Sequence, residues 1–198
     1  MRIVLLAAAL LGVLAVVFGL VLTRGDGGED FRGSRPPEGL TMPAFAVEMP
    51  DGSTVGSDGL RDKAVAVTFL DTQCTEACPI VAAQMGEAIR RLGGDGEKAV
   101  ALAFSVDPVN DTPARIRSFL TRYRALDELR YVDGTVEQLR PIWEGFEILP
   151  SVDTGNSNMH SAPVRVYDSE GRWRSTLHPG VDLTAANLAH DLQVASGS

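Results

Sequence analysis

The sequence predicts an α/β domain, because strand-like and helix-like segments alternate through most of the 198-residue chain. Two apolar runs, residues 64–70 and residues 100–106, have the length and composition of buried strands, and each precedes a segment with helical spacing of apolar residues. The only two cysteines, Cys74 and Cys78, come just after the first run. This pattern predicts a strand, a turn carrying two thiols, and a helix.

The order of the elements narrows the fold class. Residues 45–48 and 54–55 flank Pro50-Asp51-Gly52, which predicts an opening β-hairpin. The remaining predicted elements are, in chain order, a strand over residues 64–70, a helix from Pro79 to about Leu92, a strand over 100–106, a helix from Pro113 to about Tyr123, a strand over 129–132, a helix over 135–146, a closing hairpin of 163–167 and 173–177, and a helix over 183–194. This is the thioredoxin-like order, with a β-hairpin at its start and another near its end.

The cysteine pair is the strongest functional signal in the sequence. If Pro79 opens a helix, both thiols lie at its N-terminus, where the helix stabilises thiolate for nucleophilic chemistry or for binding a soft metal. A structural disulfide is the alternative, since an exported protein with an even cysteine count can carry one. Bridging the pair would close a loop of only about five residues, worth roughly 2 kcal/mol in the chain-entropy model. A reactive or metal-binding dithiol is therefore the favoured interpretation.

The N-terminus predicts export. Residues 3–22 are an unbroken run of twenty apolar or glycine residues between Arg2 and Arg24. At about 1.5 Å per residue, a helix of this length covers the roughly 30 Å hydrocarbon core of a bilayer. We expect a transmembrane helix, or alternatively a cleaved signal peptide, over residues 1–24, with the domain on the extracytoplasmic side of the cytoplasmic membrane.

Composition divides the rest of the chain into a linker and one domain. Residues 25–43 are rich in glycine, proline and charge and predict a flexible linker. Residues 44–198, about 155 residues, have the size of one ordinary domain. The formal net charge of −8 argues against a nucleic-acid partner, for which a basic face would be expected.

Three motifs together resemble the SCO/SenC family (synthesis of cytochrome c oxidase), whose members are membrane-anchored, thioredoxin-like and copper-binding. The motifs are Cys74-x-x-x-Cys78 followed by proline, the segment over residues 105–113, and His160 just before the closing hairpin. The resemblance covers most of residues 40–195. It departs from the family pattern at Thr75, where the family usually has proline, and in lacking a tyrosine before the histidine.

The resemblance implies a metal site made of Cys74, Cys78 and His160. Two thiolates and an imidazole suit Cu(I), can hold Cu(II) with a further oxygen ligand, and could also take zinc. His160 is preferred over His178 and His190 because it lies in a polar loop before an apolar strand. Met159 is a candidate accessory soft ligand, although packing is its favoured role. Trp143, Phe146 and Trp173 are expected in the core or in a groove wall.

Asp107 and Asp111 have two interpretations. The simpler one is that they form a turn and cap the next helix through their side-chain oxygens. In the other interpretation, Asp107 lies at the end of a central strand near the dithiol. There it would accept hydrogen bonds that support the metal ligands, or would itself be a weak copper ligand.

As the family resemblance implies, the protein would be a metallochaperone rather than an enzyme, delivering copper to the dinuclear centre of a cytochrome c oxidase subunit. Another copper chaperone or a thioredoxin-like reductant would be a further partner. Oxidation of the dithiol would abolish copper binding. The main alternative is an extracytoplasmic thiol–disulfide oxidoreductase, in which Cys74 and Cys78 are catalytic and reduce the target's cysteines before metal loading. Peroxide sensing or reduction is a third possibility.

Overall fold

A computed structural model of the protein describes residues 30–160 and 162–197, and the compact unit of the chain begins at Phe31. The transmembrane helix or signal peptide predicted over residues 1–24 lies outside the described residues. Within them, no helix combines the length and the apolar character needed to cross a bilayer.

Two sheets contain the strands of the described chain. These strands are β1 (Ala46–Glu48), β2 (Thr54–Gly56), β3 (Ala64–Leu70), β4 (Ala99–Ser105), β5 (Leu129–Val132), β6 (Val164–Tyr167) and β7 (Trp173–Leu177). Strands β1 and β2 form the predicted opening hairpin, and β6 and β7 form the closing one. The larger sheet has the order β5-β4-β3-β6-β7, in which β3 pairs parallel to β4 and antiparallel to β6.

Five α-helices accompany the strands in the described chain. They are α1 (Ala77–Leu92), α2 (Pro113–Arg122), α3 (Val136–Gly145), the single turn α4 (Ser151–Thr154) and α5 (Ala185–Ala195). Two 3₁₀ segments, Ser57–Leu60 and Gly93–Lys98, and the turn α4 were not predicted, because pieces of one or two turns carry too few residues to show a period.

The large sheet lies between two apolar clusters, which explains why β3 is buried along its whole length. On one face, α1, α2 and α5 contribute side chains such as Met85, Phe119 and Leu188. On the other face, α3 and the opening hairpin contribute side chains such as Trp143 and Val47. A strand covered on both faces reads as a continuous apolar run, and this is the pattern that residues 64–70 show. The structure therefore confirms the mixed α/β, thioredoxin-like fold.

One predicted helix start and one predicted helix cap need correction. Helix α1 begins at Ala77 rather than at Pro79, so Cys78 lies within its first turn while Cys74 lies in the loop before it. Proline is tolerated in the first helical turn, because a backbone N–H at that position would have no acceptor within the helix. Helix α2 is capped by Thr112, whose hydroxyl accepts a hydrogen bond from the backbone N–H of Arg115. The prediction that Asp111 caps this helix is therefore wrong.

The predicted linker is also shorter than the sequence indicates, because residues 31–43 lie against the domain. Ser34 exchanges backbone hydrogen bonds with Thr176 on β7. The buried carboxylate of Asp191 on α5 accepts bonds from the backbone N–H groups of Arg32, at 2.7 Å, and Gly33, at 3.1 Å. Phe31 and Met42 also pack against the two apolar clusters. These isolated apolar residues form no period in a segment rich in glycine, proline and charge, so the hydrophobic pattern carries no sign of the docking.

We expect Asp191→Ala to lower the free energy of unfolding by about 3 kcal/mol, because it leaves buried donors without their charged acceptor. The hydroxyl of Ser175 also donates to this carboxylate, at 2.6 Å. Denaturant unfolding measures the loss, and trypsin should cleave at Arg32 sooner. Asp58→Ala is the control, since the Asp58 side chain is 93% exposed in its ion pair with Arg61. An equal effect of the two substitutions would contradict the assigned anchoring role.

Candidate metal centre

Three separate segments bring Cys74, Cys78 and His160 together at the carboxyl edge of the large sheet. Cys74 follows β3, Cys78 lies in the first turn of α1, and His160 lies shortly before β6. Their candidate ligand atoms all lie within 4.8 Å of one another. The ring nitrogen Nε2 of His160 is 3.4 Å from Sγ of Cys78, and both thiols are free. The structure thus assembles the three residues that the sequence selected.

The two thiols differ in acidity because one stabilises the anion of the other. A hydrogen bond from the Cys78 thiol, with further help from His160, lowers the pKa of Cys74 to about 4. Donating that bond, together with burial, raises the pKa of Cys78 well above its ordinary value. The backbone N–H of Cys78 also points at Sγ of Cys74, at 3.4 Å. Cys74 is therefore a thiolate at neutral pH and Cys78 is its proton-bearing partner.

Asp71 holds the loop that carries Cys74. Its backbone carbonyl accepts the N–H of Cys74 at 3.1 Å, and its buried carboxylate accepts the N–H of Gln73 at 2.7 Å. The hydroxyl of Ser151 on α4 donates to the same carboxylate at 2.6 Å. Burial raises the pKa of Asp71, against the effect of these donors. Neither Asp71 nor Ser151 was identified from the sequence, although Asp71 directly follows the predicted strand.

Asp111 faces inward and fixes the beginning of the same loop. One carboxylate oxygen accepts both the backbone N–H and the hydroxyl of Thr72, at 2.9 and 2.6 Å. The other oxygen lies 2.6 Å from the hydroxyl of Ser105 and 2.7 Å from that of Tyr131. Burial is the main cause that raises the pKa of Asp111. Asp111 therefore connects the cysteine loop with β4 and β5.

Asp107 forms the expected turn and also approaches the cysteine loop. Its carboxylate accepts the side-chain amide of Asn110 at 2.7 Å, which closes the turn. The side-chain amide of Gln73, next to Cys74, donates to it at 3.3 Å. Asp107 does not belong to the three-residue group that could hold a metal among the described residues. Asp107 therefore forms the turn of the simpler interpretation and also contacts the cysteine loop through Gln73.

A hydrogen bond joins the cysteine loop directly to the histidine loop. The backbone N–H of Thr75 donates to Oδ1 of Asn158, two residues before His160, at 3.0 Å. Proline has no N–H, so the residue that the SCO/SenC pattern usually has at this position could not make this bond. Threonine at position 75 thus has a structural consequence, because its N–H links the loop that carries the cysteines to the loop that carries His160.

The other singled-out residues lie apart from the three candidate ligands. His178 lies in the turn after β7, with Nδ1 4.0 Å from the carboxylate of Asp182, and His190 lies on α5. Met159 is 57% exposed, which contradicts the prediction that it packs. Among the aromatic residues, Trp143 and Phe146 are buried in the core as expected.

The donor set determines what the site can do chemically. Two sulfur atoms and an imidazole nitrogen, already gathered within a few ångströms, form a three-ligand set for a soft or borderline ion. The same thiols can exchange with a disulfide, since Cys74 is a nucleophile and Cys78 can resolve a mixed disulfide. The geometry therefore supports metal binding and dithiol chemistry at one place.

Comparison with known proteins finds a matching family model and a related bacterial protein. The SCO1/SenC family model matches residues 34–195. The SCO1 protein homolog of Bacillus subtilis is 27% identical over 89 residues, which cover 45% of this chain and 46% of that protein, so the chain spans about half of that relative's length.

Solved structures confirm the fold. ScoI of Bradyrhizobium japonicum, with copper bound, has a TM-score of 0.65 and 24% identity, covering 79% of this chain and 99% of the other. BsSco has a TM-score of 0.66 and 22% identity, covering 83% and 98%. A disulfide switch has been identified in BsSco, which is a member of the Sco family of cytochrome c oxidase assembly proteins.

The acidity of Cys74 predicts an unusual pH profile of alkylation. Because its pKa in the folded protein is about 4, the thiolate is fully formed at neutral pH and persists until the pH falls toward that value. The rate of Cys74 alkylation by iodoacetamide should stay nearly constant from about pH 6 to about pH 8. The rate for a free cysteine, with a pKa near 8.5, should instead rise about tenfold for each unit of pH over this range. Mass spectrometry would assign the label.

Cys78 in the same sample is the internal control, and its label should accumulate slowly, because its thiol is fully buried and its pKa is raised. A Cys74 rate that rises across this range like that of free cysteine would contradict the assignment.

Proposed function

This chain belongs to the SCO1/SenC family, and from that premise we propose that it is a copper-binding metallochaperone that helps deliver copper to the dinuclear copper centre of cytochrome c oxidase. Copper is the cargo of this activity. In the proposal, Cys74 and Cys78 supply thiolates to the ion and His160 supplies an imidazole nitrogen.

The convergence of two thiols and one imidazole from three separate segments is the observation that carries this proposal. A disulfide staple would need only the cysteines. Soft thiolate ligands select Cu(I), and imidazole extends the range to Cu(II) and Zn(II). The copper bound to the Bradyrhizobium japonicum ScoI structure and the oxidase-assembly description of the Sco family favour copper over zinc.

Release of the ion proceeds by ligand exchange, in which thiols or methionines of the receiving protein replace the protein's own ligands one at a time. The site suits such an exchange because it lies near the surface. Met159 and Thr75 beside it are exposed and His160 is partly exposed. Cys74 is only 5% exposed but lines an open groove, whereas Cys78 is fully buried. The receiving protein is a cytochrome c oxidase subunit. The further partner is another copper chaperone, which would supply the ion, or a thioredoxin-like reductant, which would reduce the dithiol before loading.

The proposed location is the extracytoplasmic side of the cytoplasmic membrane, with residues 1–24 as the anchor. The apolar run of residues 3–22 supports this location. An oxidising compartment also gives the dithiol a function as a switch, since the disulfide form has no thiolate to offer to copper.

Thiol–disulfide exchange is the second candidate, and the low pKa of Cys74 favours it specifically. The Cys74 thiolate would attack one sulfur of a partner disulfide, forming a mixed disulfide and releasing the other sulfur as a thiolate. Cys78 would then lose its proton and attack Sγ of Cys74, which leaves the partner reduced and this protein oxidised. In this reaction His160 is not required as a ligand.

An anaerobic Cu(I) titration of the reduced protein against a competing chelator tests the copper site. We expect one copper per wild-type chain and none retained by Cys74→Ser/Cys78→Ser. His160→Ala should weaken affinity by at least about tenfold, since even residues that only orient ligands change metal affinity by about 10–100-fold. His178→Ala is the matched control, because that exposed histidine lies apart from the thiols.

Failure of the reduced wild-type protein to retain copper would overturn the chaperone proposal. If His160→Ala also reduced a disulfide substrate as fast as the wild type, the oxidoreductase would become the better account.

The bond between Asn158 and Thr75 gives a further prediction. Asn158→Ala should lower Cu(I) affinity several-fold, because it frees the histidine loop and leaves all three proposed ligands in place. Amide hydrogen exchange at Thr75 should become faster. Ser157→Ala is the control, since this neighbouring residue of the same loop makes no side-chain hydrogen bond with the cysteine loop among the described residues. Unchanged copper affinity with faster exchange at Thr75 would show that the bond is not needed for metal binding.

A further inference from the structure

A groove of about 320 Å³ opens beside Cys74, on the side of the cysteine loop that faces α2. Its lining includes the rings of Phe119 and Tyr123, whose centroids are 4.9 Å apart in an edge-on arrangement. Two arginines, Arg115 and Arg122, also line it. The groove therefore combines an apolar part, two cations and the residue Cys74 of the metal centre.

The two arginines make local contacts that leave them without a carboxylate partner. Arg115 donates to the backbone carbonyl of Asn110 at 3.3 Å, and the guanidinium of Arg122 lies 5.8 Å from the centroid of the Tyr123 ring. Neither forms an ion pair with a carboxylate in the part of the chain that the structure describes. By contrast, several other arginines do form ion pairs with aspartate or glutamate, namely Arg61, Arg90, Arg91, Arg140, Arg172 and Arg174.

This local charge is opposite to that of the whole protein. The formal net charge of the chain is −8, yet residues 112–126 contain four arginines and no acidic residue. No carboxylate lines the groove among the described residues. A surface of this kind attracts anions, and arginine binds carboxylates through two parallel hydrogen bonds when it is free to do so.

We propose that the groove binds an acidic, extended segment of the partner protein, placing carboxylates against Arg115 and Arg122 and an adjoining sulfur ligand next to Cys74. The inference rests on the proposed function for the identity of that partner. The groove, at about 320 Å³, is at the small end of ligand-binding cavities, so it accommodates a few side chains of an extended segment rather than a folded domain. Its concave shape beside a thiol also favours a peptide over a flat anionic membrane surface.

Binding of labelled synthetic peptides to the reduced, metal-free protein tests this site. The probe is a fluorescein-labelled heptapeptide with a central methionine flanked by three glutamates on each side, and its matched counterparts carry glutamines or lysines instead. We expect the glutamate peptide to bind at least about tenfold more tightly than the glutamine peptide and to weaken with added salt. The lysine peptide should not bind.

The double variant Arg115→Glu/Arg122→Glu should weaken binding of the glutamate peptide by about tenfold or more, because two attractions become repulsions. Arg130→Glu/Arg61→Glu is the matched control, with the same change of net charge at two exposed arginines outside the groove, and its effect should stay within about twofold. Arg115→Gln/Arg122→Gln serves if the reversed charges impair folding. Equal binding of the glutamate and glutamine peptides, or equal losses in the groove and control variants, would overturn the proposal.

Two further measurements distinguish a peptide-binding groove from a membrane-binding face and from the metal centre. Vesicles containing phosphatidylglycerol should not displace the peptide; displacement that depends on Arg115 and Arg122 would show a membrane-binding face and would overturn the peptide site. Cu(I) stoichiometry of the double variant should equal that of the wild type, because neither arginine belongs to the metal centre. Since the peptide assay contains no copper, its failure would not be confused with a failure of the copper site.

An alkylation ratio supplies a readout that needs no peptide. Iodoacetate carries a carboxylate and iodoacetamide does not, whereas in both cases the Cys74 thiolate displaces iodide. Both rates depend equally on the fraction of Cys74 present as thiolate, so this fraction cancels when the iodoacetate rate is divided by the iodoacetamide rate. The ratio therefore reports the local preference for a carboxylate. The ratio should fall several-fold in the double variant and stay unchanged in the control; an unchanged ratio in both would contradict the proposed recognition.

Discussion

The antiparallel pairing of β6 with β3 is the constraint on which the metal centre depends. Because Val67 of β3 faces Arg165 of β6, the beginning of β6 lies beside the carboxyl half of β3. The segment before β6, which carries His160, is therefore delivered to the edge where β3 ends and the cysteine loop begins. The parallel pairing of β4 with β3 brings the loop with Asp107 and Asp111 to the same edge. A thioredoxin-like sheet thus gathers the ligands and their supporting residues from distant parts of the chain.

Two buried carboxylates then make this edge rigid. Asp71 and Asp111 receive hydrogen bonds from the backbone of the cysteine loop and from hydroxyl groups on neighbouring elements. Burying carboxylates is costly, and burial raises the pKa of both, so several donors are needed to hold each one. This arrangement holds the backbone of the cysteine loop without engaging either thiol. On the exposed side, Asn158 connects the loop to the histidine segment, while the arginine-lined groove remains open to a partner.

The main features of the fold could be predicted because they depend on local patterns. A strand buried on both faces is a continuous apolar run, and the four longer helices after β3, namely α1, α2, α3 and α5, follow apolar spacing that the sequence displays. The three candidate ligands were also found, through motifs and a family resemblance rather than through geometry. The supporting network could not be predicted, since Asp111 next to Thr112 and Pro113 has the local signature of a helix cap. Only the tertiary structure shows that its carboxylate turns inward to Thr72. Docking of residues 31–43 was missed for a similar reason, because backbone hydrogen bonds and a few isolated apolar contacts leave no hydrophobic pattern.

The most direct test of the three-ligand centre is X-ray absorption spectroscopy at the copper edge of the reduced protein loaded anaerobically with one Cu(I). We expect a first shell of two sulfur atoms and one nitrogen, with the multiple scattering of an imidazole ring that disappears in His160→Ala. A first shell of two sulfur atoms alone in the wild type, identical to that of His160→Ala, would contradict the three-ligand centre.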